Sequence, residues 1–480
     1  MEGLERPNRL LGSTRRSGAT RSSRSAAPTA TTRAGLATPT ATAAATSSLR
    51  GFRRRACRSL SFSHDAGVYS LWQHRAMESD ESYGLNWVGK AAAFASAEEP
   101  TERRLVPDNQ ASCGGTSSSH VFIEGDNLDA LKLLQEDYRG RVGLIYIDPP
   151  YNTGQRFTYA DRFGSHSRWL SMMAPRLLLA RQLLAEDGLL FVSIDEHEHR
   201  NLLLLLCEIF GEDNYLGDLI WKKKSGGGSD AASFILDHEY IPSFRKSAEA
   251  RFTIDPEATV TTSYPHSDER GRYSLERLDK QNLGYEVGLD FPIEGPDGRT
   301  YTVHHKDPSN KRARWRWSRK SVTERREELV FRGDSVYTRN YKKKGARPRS
   351  LLIERRFGRT RSGKHDLQRL FGATMLDYPK PVRLIRHLLR IASKPDSVVL
   401  DFFCGSGTTA QAVLEANQED GGTRQWVCVQ LDEPIDPSSD AGQMGLKTIA
   451  DLAAERIRRA ADMLPTSDEG DRGFRYYRLV

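Results

Sequence analysis

The sequence has few cysteines and no apolar run long enough to cross a membrane. Its five cysteines are Cys57, Cys113, Cys207, Cys404 and Cys428. They show neither the paired spacing of a metal site nor the density of a disulfide scaffold, so no metal ligand is predicted and a reducing cytoplasm suits the chain. The apolar run at Asn201 to Phe210 is only ten residues long, about half of what spans a bilayer, and it predicts a buried helix.

Lysine is absent from residues 1–76, which contain 13 arginines and three acidic residues. The rest of the chain then has 58 basic and 60 acidic residues, so the overall net charge of +8 is no evidence for nucleic-acid binding. Residues 1–76 are rich in Ala, Ser and Thr and are predicted to form a disordered extension. Their composition is typical of an organelle transit peptide, but a start codon placed too far upstream of Met77 explains them better.

The stretch LIYIDPPYNTG, from Leu144 to Gly154, predicts a buried strand that ends in a carboxylate. Two prolines follow Asp148, and they force the chain into a rigid, extended turn because they lack N–H donors and fix φ. The carboxylate, the turn carbonyls and the aromatic ring form an acceptor-rich clamp, which favours a substrate bearing N–H groups. The alternative is a simple surface turn after a core strand.

A second strand runs into a glycine turn and a helix in VVLDFFCGSGTTAQAVLEA, from Val398 to Ala416. Gly405 and Gly407 allow a ligand to approach the backbone closely. The loop lacks the lysine of a Walker loop, and Thr408 follows the second glycine, so its spacing departs from the dinucleotide fingerprint, which has a third glycine three residues on. A third strand, WVCVQLDEP, ends in Asp432 and Glu433, which could bind ribose hydroxyls. The glycine loop, together with the acidic residues after the third strand, predicts a ligand that contains a nucleoside but no phosphate.

The pair DPPY and DFFCGSGTT resembles the signature motifs of S-adenosylmethionine-dependent amino-methyltransferases that act on DNA. The Asp-first form is typical of adenine N6 methylation, and the motif order resembles the permuted β group. The surrounding sequence resembles the modification subunits of type III restriction-modification systems, over roughly residues 77–480. Further matching stretches are GLNWVGK (Gly84 to Lys90), IEGDNLDALKLL (Ile123 to Leu134), DGLLFVSIDEHE (Asp187 to Glu198), EIFGEDNYLGDLIWKKK (Glu208 to Lys224), YPKPVRLIRHLL (Tyr378 to Leu389) and GFRYYRL (Gly473 to Leu479).

The resemblance implies roles for individual residues. The Asp148 carboxylate and the Pro149 carbonyl would accept hydrogen bonds from the adenine N6 group, Pro150 completes the rigid turn, and Tyr151 would stack on a base flipped out of the duplex. An aspartate with its ordinary pKa of about 4 cannot deprotonate this amine beforehand, so deprotonation follows or accompanies methyl transfer. The implied pocket for S-adenosylmethionine is lined by Asp126, Lys380, Pro381, Asp401, Phe402, Gly405, Gly407, Thr408 and Glu433, with Asp432 as second choice for the ribose.

The resemblance also implies an α/β, Rossmann-like methyltransferase fold with a mixed, mostly parallel sheet and an inserted target-recognition region. We expect a catalytic half over residues 77–224, the insert over 225–370 and a cofactor-binding half over 371–480. Within the insert, Lys311 to Arg349 has 15 basic and four acidic residues interleaved with aromatic ones. Arg314, Arg316, Lys342, Lys343 and Lys344 are expected to contact DNA. The alternative is a merely solvated face, as for Arg456, Arg458 and Arg459 on the last predicted helix.

The resulting expectation is a cytoplasmic bacterial or archaeal enzyme that methylates adenine N6 at specific sites in double-stranded DNA. The sequence leaves open a separate helicase-nuclease restriction subunit and a homodimer. Two alternatives remain. One is another amino-methyltransferase on the same fold, acting on cytosine N4, RNA or protein glutamine. The other is a DNA-recognition subunit that has lost catalysis.

Overall fold

A computed structural model describes residues 84–114, 117–154, 161, 163–226, 234–258, 263–465 and 470–480. The extension predicted over residues 1–76 lies outside the described residues. Within these ranges, no helix combines the length and the apolar character needed to cross a membrane.

The strands follow one another along the chain as β1 (Leu105–Pro107), β2 (Val121–Glu124), β3 (Val142–Ile147), β4 (Leu184–Val192), β5 (Tyr215–Lys222), β6 (His238–Arg245), β7 (His266–Asp268), β8 (Gly271–Arg277), β9 (Asp279–Lys280), β10 (Ile293–Glu294), β11 (Thr300–Tyr301), β12 (Arg314–Trp315), β13 (Leu329–Arg332), β14 (Ser335–Tyr341), β15 (Leu351–Leu352), β16 (Val398–Asp401), β17 (Gln425–Gln430) and β18 (Arg475–Leu479).

The α-helices are α1 (Lys90–Glu98), α2 (Asn127–Tyr138), α3 (His166–Leu183), α4 (His199–Phe210), α5 (Arg319–Glu324), α6 (Thr360–Phe371), α7 (Val382–Ala392), α8 (Thr408–Asp420), α9 (Asp440–Gln443) and α10 (Ile449–Asp462). Single turns of 3-10 helix lie at Glu212–Asn214, Gln281–Leu283, Val287–Leu289, Arg326–Glu328 and Arg355–Phe357.

Ten of these strands form one sheet in the order β1-β18-β2-β17-β16-β3-β4-β6-β5-β15. The six strands from β18 to β4 run parallel to one another, whereas β1 and β6 are antiparallel to their neighbours. The α/β fold with a mixed, mostly parallel sheet is therefore confirmed.

Helices cover both faces of the large sheet. In β3, Ile145 and Ile147 join the apolar cluster that includes α1 to α4, while Leu144 and Tyr146 join the cluster that includes α7, α8 and α10. Both faces of the strand are thus apolar because both are buried, which explains why the sequence here shows no polar alternation. Successive side chains of one strand supply both cores.

The amino-terminal and carboxyl-terminal parts of the chain interleave in this sheet. Strands β16 and β17 lie between β2 and β3, and β18 lies on the other side of β2. The motif DPPY, after β3, and the motif DFFCGSGTT, at the end of β16, are therefore on neighbouring strands although about 250 residues separate them.

A smaller unit of strands lies within the predicted insert. Strands β7, β8, β13 and β14 form a four-stranded sheet, and β9–β12 and β10–β11 form two strand pairs. These strands enclose their own apolar cluster around Trp315 and Val336. By contrast β6 and β15, which also fall within residues 225–370, are strands of the large sheet. The insert boundaries expected from the sequence thus include pieces of the main sheet.

Candidate active site

The connections that follow β3 and β16 leave the sheet in opposite directions. β3 leads through α3 to β4 on one side, and β16 leads through α8 to β17 on the other. Such a reversal opens a crevice at the carboxyl ends of the strands, where open α/β sheets bind ligands. A pocket of about 300 Å³ lies at this point.

Most of the predicted site residues line this pocket. They are Asp126, Asp148, Pro150, Lys380, Asp401, Phe402, Gly405, Thr408 and Glu433. Pro149, Tyr151, Pro381, Gly407 and Asp432 are not among its lining residues. Tyr151 nevertheless contacts the pocket residues Asp148 and Lys380 through its hydroxyl, and Pro381 directly precedes the first residue of α7.

Asp148 is the centre of a network of charged groups. The Lys380 ammonium donates hydrogen bonds to both carboxylate oxygens of Asp148 at 2.7 Å. The Tyr151 hydroxyl lies 2.8 Å from Asp148 Oδ1 and 3.2 Å from Glu239 Oε2. Glu239 on β6 is also 3.4 Å from Lys380 Nζ. Two carboxylates thus contact the Lys380 ammonium, and Glu239 also lies 3.5 Å from the Lys223 ammonium.

Charge and burial at this network oppose each other. Burial raises the pKa of Asp148 above its ordinary value, Lys380 opposes this rise and Glu239 adds to it. Burial alone would lower the pKa of Lys380, but the carboxylates of Asp148 and Glu239 outweigh burial and raise it. Lys380 therefore stays charged. Its Nζ also lies 5.1 Å from the centre of the Tyr151 ring, on which the target base is expected to stack.

The turn after Asp148 is fixed by buried hydrogen-bond partners. The Trp169 indole N–H donates to the Pro150 carbonyl at 2.7 Å. Asn152 has φ of 59°, a left-handed conformation that asparagine tolerates better than most residues. Its side chain donates to the buried carboxylate of Glu198 at 2.6 Å, and its backbone N–H donates to Asp161 at 2.7 Å. The surrounding helices therefore hold the motif rigidly.

The glycine loop after β16 uses its two glycines differently. Gly405 has φ of 55°, with open space where a side chain would lie, and its N–H donates to Gln430 at 2.7 Å. Gly407 has φ of 80°, and a Cβ there would lie 3.1 Å from the Ala453 carbonyl of α10. Gly405 thus keeps the pocket open, whereas Gly407 lets the loop pack on a helix.

Asp401 lies at the end of β16 and is almost fully buried. It accepts hydrogen bonds from the Thr409 hydroxyl and from the Phe403 backbone N–H. Burial raises the pKa of Asp401 to about 7, although these hydrogen bonds lower it. Asp401 lines the pocket and also joins the two ends of the glycine loop.

The opposite wall of the pocket is built around Asp126. This residue caps α2 through a hydrogen bond from the Leu128 N–H and pairs with Arg176 at 3.0 Å. The side chain of Asn127 donates to the Phe402 carbonyl at 2.7 Å, so it joins α2 to the glycine loop. Glu433 follows β17 and lines the same pocket.

One expectation about α10 was wrong. Arg456, which the sequence suggested to be solvated, is fully buried beneath the glycine loop. It donates to the side chains of Ser406 and Thr408 at 2.7 Å and of Gln411 at 2.8 Å. Burial lowers the pKa of Arg456 to about 10, so the guanidinium stays charged at neutral pH and supports the loop from below.

The residues expected to contact DNA lie in the smaller unit of strands. Arg314 pairs with Glu286. Arg316 donates to the Thr338 hydroxyl at 2.7 Å and lies 3.2 Å from Glu276. Lys342, Lys343 and Lys344 follow β14 and are exposed. The two arginines are thus held by protein groups, and contact of all five residues with DNA stays a prediction.

Three residues of the site were missed by reading the sequence. Glu239 lies on a strand within the range assigned to the insert, and no motif marks it. Arg176 lies inside α3, where helical periodicity alone cannot identify a pocket residue. Asn127 is the last residue of the EGDN stretch and could have been found, because a polar side chain there follows directly on the predicted ligand Asp126.

The arrangement agrees with the comparisons with known proteins. The model of the DNA methylase family matches residues 142–435. The chain is 31% identical to the Mod subunit of the type III restriction-modification enzyme StyLTI of Salmonella typhimurium, over 84% of this chain and 67% of that protein. It is 32% identical to the EcoPI Mod subunit of Escherichia phage P1, over 82% and 70%. It is 31% identical to the type II methyltransferase M.KpnI of Klebsiella pneumoniae, over 73% and 89%. The chain therefore belongs to the DNA methylase family and is a DNA methyltransferase.

Proposed function

We propose that this enzyme methylates the N6 amino group of adenine at specific sites in duplex DNA, with S-adenosylmethionine as the methyl donor. The observation that carries the proposal is the partly exposed Asp148 carboxylate, which lies in the ligand crevice and already binds an N–H donor, the Lys380 ammonium. A carboxylate that holds a donor at 2.7 Å is suited to hold an exocyclic amine.

Asp148 acts on the amine by position and charge. The adenine amine is a poor nucleophile because its lone pair is delocalised into the ring. Hydrogen bonds from the amine to Asp148 and to the Pro149 carbonyl favour a pyramidal nitrogen with a localised lone pair. The pKa of Asp148 is raised, which makes the carboxylate a better acceptor for the proton that the methylated amine must lose.

Lys380 must move before the amine can bind in this way. Its ammonium occupies the Asp148 oxygens and the face of Tyr151, the two contacts assigned to the target base. Glu239 lies 3.4 Å from Lys380 Nζ. It keeps the Lys380 ammonium in an ion pair when the target base displaces this ammonium from Asp148. Since Glu239 is buried, the two ammonium groups of Lys380 and Lys223 together offset the cost of burying its charge.

The pocket residues fit the methyl donor. When bound, S-adenosylmethionine supplies an electrophilic methyl group on a positively charged sulfur. Glu433 would bind the ribose hydroxyls, while Phe402 forms an apolar wall and Gly405 leaves room for the nucleoside. Asp126 and Arg176 offer opposite charges for the amino and carboxylate groups of the methionine part.

We further propose that target recognition belongs to the smaller unit of strands, roughly residues 263–345, flanked by a catalytic half and a cofactor-binding half. A base inside a duplex cannot reach the crevice, so the target adenine is flipped out at a cost of a few kcal/mol. Two named relatives are Mod subunits of type III enzymes, which supports a modification role beside a separate restriction subunit. A cytoplasmic location and a homodimer complete the proposal.

The test is a methylation assay with tritium-labelled S-adenosylmethionine on duplex DNA, RNA and protein. We expect label in duplex DNA, recovered after digestion as N6-methyl-2′-deoxyadenosine. Sequencing that detects modified bases then identifies the recognition sequence. Recovery as N4-methylcytosine favours the cytosine alternative. Absence of transfer by a protein that still binds DNA favours the non-catalytic subunit.

A further inference from the structure

A second cleft lies beside the active site, and we call it the basic cleft. Its lining residues are Lys222, Ser225, Ile353, Arg355, Gly358, Arg359, Arg361, Ser362 and Arg383. Five of these nine side chains are cationic and no lining residue is acidic. The cations come from β5, from the segment before α6 and from the starts of α6 and α7, so no single stretch of sequence reveals the cluster.

Within the part of the chain that the structure describes, four of these five cations have no carboxylate in an ion pair, and only Lys222 has one. Arg355, Arg361 and Arg383 are exposed. Arg359 donates to backbone carbonyls, including those of Glu354 at 3.1 Å and Ile353 at 2.6 Å, which satisfy its hydrogen bonds without cancelling its charge. Lys222 pairs with Asp237 at 3.0 Å. Burial and the neighbouring Arg355 lower the pKa of Arg359, and Asp237 partly opposes them.

Two helices increase the positive potential of the basic cleft. Arg361 and Arg383 are each the second residue of a helix, α6 and α7, and neither helix has an acidic residue in its first turn. A cation at this end of a helix is repelled by the helix dipole. At the amino terminus of α7, Asp366 offsets part of this repulsion, because its carboxylate accepts a hydrogen bond from the Val382 N–H at 3.1 Å. A bound anion would relieve this repulsion further.

The basic cleft adjoins the active site through two short connections. Lys223 follows the cleft residue Lys222, accepts a hydrogen bond from the first N–H of α6 and lies 3.5 Å from Glu239. Lys380, on the Asp148 carboxylate, is three residues before the cleft residue Arg383. Three residues of chain span at most about 10 Å, comparable with two or three nucleotide steps along a DNA strand.

The predicted DNA-contacting segment, Lys311 to Arg349, contrasts with the basic cleft. Its excess of basic residues is reduced by acids from other strands and loops. Lys311 pairs with Asp290 at 2.9 Å, Arg316 lies 3.2 Å from Glu276, and Arg314 pairs with Glu286. Charges already paired within the protein displace fewer counterions from DNA than unpaired ones.

We propose that the basic cleft binds the phosphodiester backbone of the duplex next to the flipped base. This inference rests on the proposed function, since it assumes that the substrate is duplex DNA. The cleft contacts phosphates and therefore sets the position of the DNA, whereas base reading belongs to other residues.

The test compares two triple variants that each remove three positive charges. The cleft variant is Arg355→Gln, Arg361→Gln and Arg383→Gln. Its matched control is Arg139→Gln, Arg141→Gln and Lys394→Gln, three exposed cations that precede β3 and β16 at the amino ends of the strands, away from the crevice. Affinity for a fluorescent duplex containing the recognition sequence is measured at several salt concentrations. We expect the slope of log affinity against log salt to fall by roughly two to three for the cleft variant and by less than one for the control. The methylated sequence should be unchanged.

Three outcomes overturn the inference: an unchanged slope in the cleft variant, an equal loss in both variants, or a loss in the control variant alone. S-adenosylmethionine binding and the melting temperature check that the cleft variant is folded. If the triple variant does not fold, Arg361→Gln alone should lower the slope by about one. Wild-type protein that neither binds nor methylates duplex DNA would instead contradict the proposed function, so the two failures are distinguishable.

Discussion

Asp148 and Asp401 follow neighbouring parallel strands and have the same local pattern, an apolar strand that closes on an aspartate. Their environments differ. Asp148 is partly exposed in the crevice and binds an ammonium and a phenol. Asp401 is buried and binds a threonine hydroxyl and a backbone N–H within its own loop. The same sequence pattern therefore produces one carboxylate that can bind a ligand and one that holds a loop together.

The difference arises from the neighbours that the fold supplies. Lys380 comes from a distant part of the chain and opposes the rise that burial causes in the pKa of Asp148. For Asp401, neutral donors compensate only part of the cost of burial, so its pKa lies near 7. Both aspartates lie at a strand end, so position does not distinguish the ligand-binding role of Asp148 from the structural role of Asp401. The Lys380 ammonium beside Asp148 does.

The largest effect should come from removing the Asp148 carboxylate. Asp148→Ala should reduce the methylation rate by at least about 10³-fold because the acceptor of the target amine is lost. Binding of S-adenosylmethionine should stay within a few fold, since Gly405 and Glu433 lie on other loops. Asp432→Ala is the control, as that exposed residue lies outside the pocket. Initial rates and equilibrium binding measure both, and near-normal turnover by Asp148→Ala would remove this residue from the mechanism.

The next effect concerns stability and pH. Because the pKa of Asp401 is about 7 in the folded state and about 3.9 when unfolded, the folded protein retains a proton that the unfolded chain releases. This contribution to stability is complete below pH 4 and is lost as the pH rises through 7.

Asp401→Asn removes the titration and keeps the shape of the side chain. Its unfolding free energy relative to wild type should therefore rise by about 3 kcal/mol between pH 5 and pH 8. Denaturant unfolding of both proteins at four pH values provides the measurement. A constant difference across this range would mean that Asp401 is already ionised at pH 5.

A smaller effect, on the KM for DNA, should show that Glu239 has a role different from those of Asp148 and Asp401. Glu239→Gln removes the second carboxylate available to Lys380, so the ammonium competes more strongly with the target amine for Asp148. We expect the KM for DNA to rise about tenfold, equivalent to about 1.4 kcal/mol. In a double variant with Lys380→Met, the competitor is absent and most of this loss should disappear. Additive losses in the double variant would contradict the displacement of Lys380.

The sequence correctly predicts those elements whose pattern depends on residues close together in the chain. The apolar strand before Asp148, the strand and helix around Gly405 and the amphipathic helix α10 all lie where the sequence predicts them. These elements depend on side chains within a few residues of one another, and their patterns reflect burial directly.

It failed where the partner of a residue is distant in the chain. Arg456 lies on a helix face that periodicity marks as ambiguous, and only the fold brings Ser406 and Thr408 to it. Glu239 contacts Tyr151 because β6 pairs antiparallel with β4, a pairing that no motif signals. The basic residues from Lys311 to Arg349 were counted without the acids that other strands and loops bring beside them.

The smallest effects are expected from removing the two hydroxyl groups that donate hydrogen bonds to these aspartates, Thr409 to Asp401 and Tyr151 to Asp148. Thr409→Val removes a donor to Asp401 and should cost about 1 kcal/mol of unfolding free energy. The loss should be larger at pH 8 than at pH 5, because the Thr409 hydroxyl lowers the pKa of Asp401 and so favours its charged form. Tyr151→Phe removes the hydroxyl beside Asp148 and should instead lower the methylation rate, with little change in stability. Unfolding curves and initial rates of both variants test this separation, and equal losses of methylation would show that the two loops act as one unit.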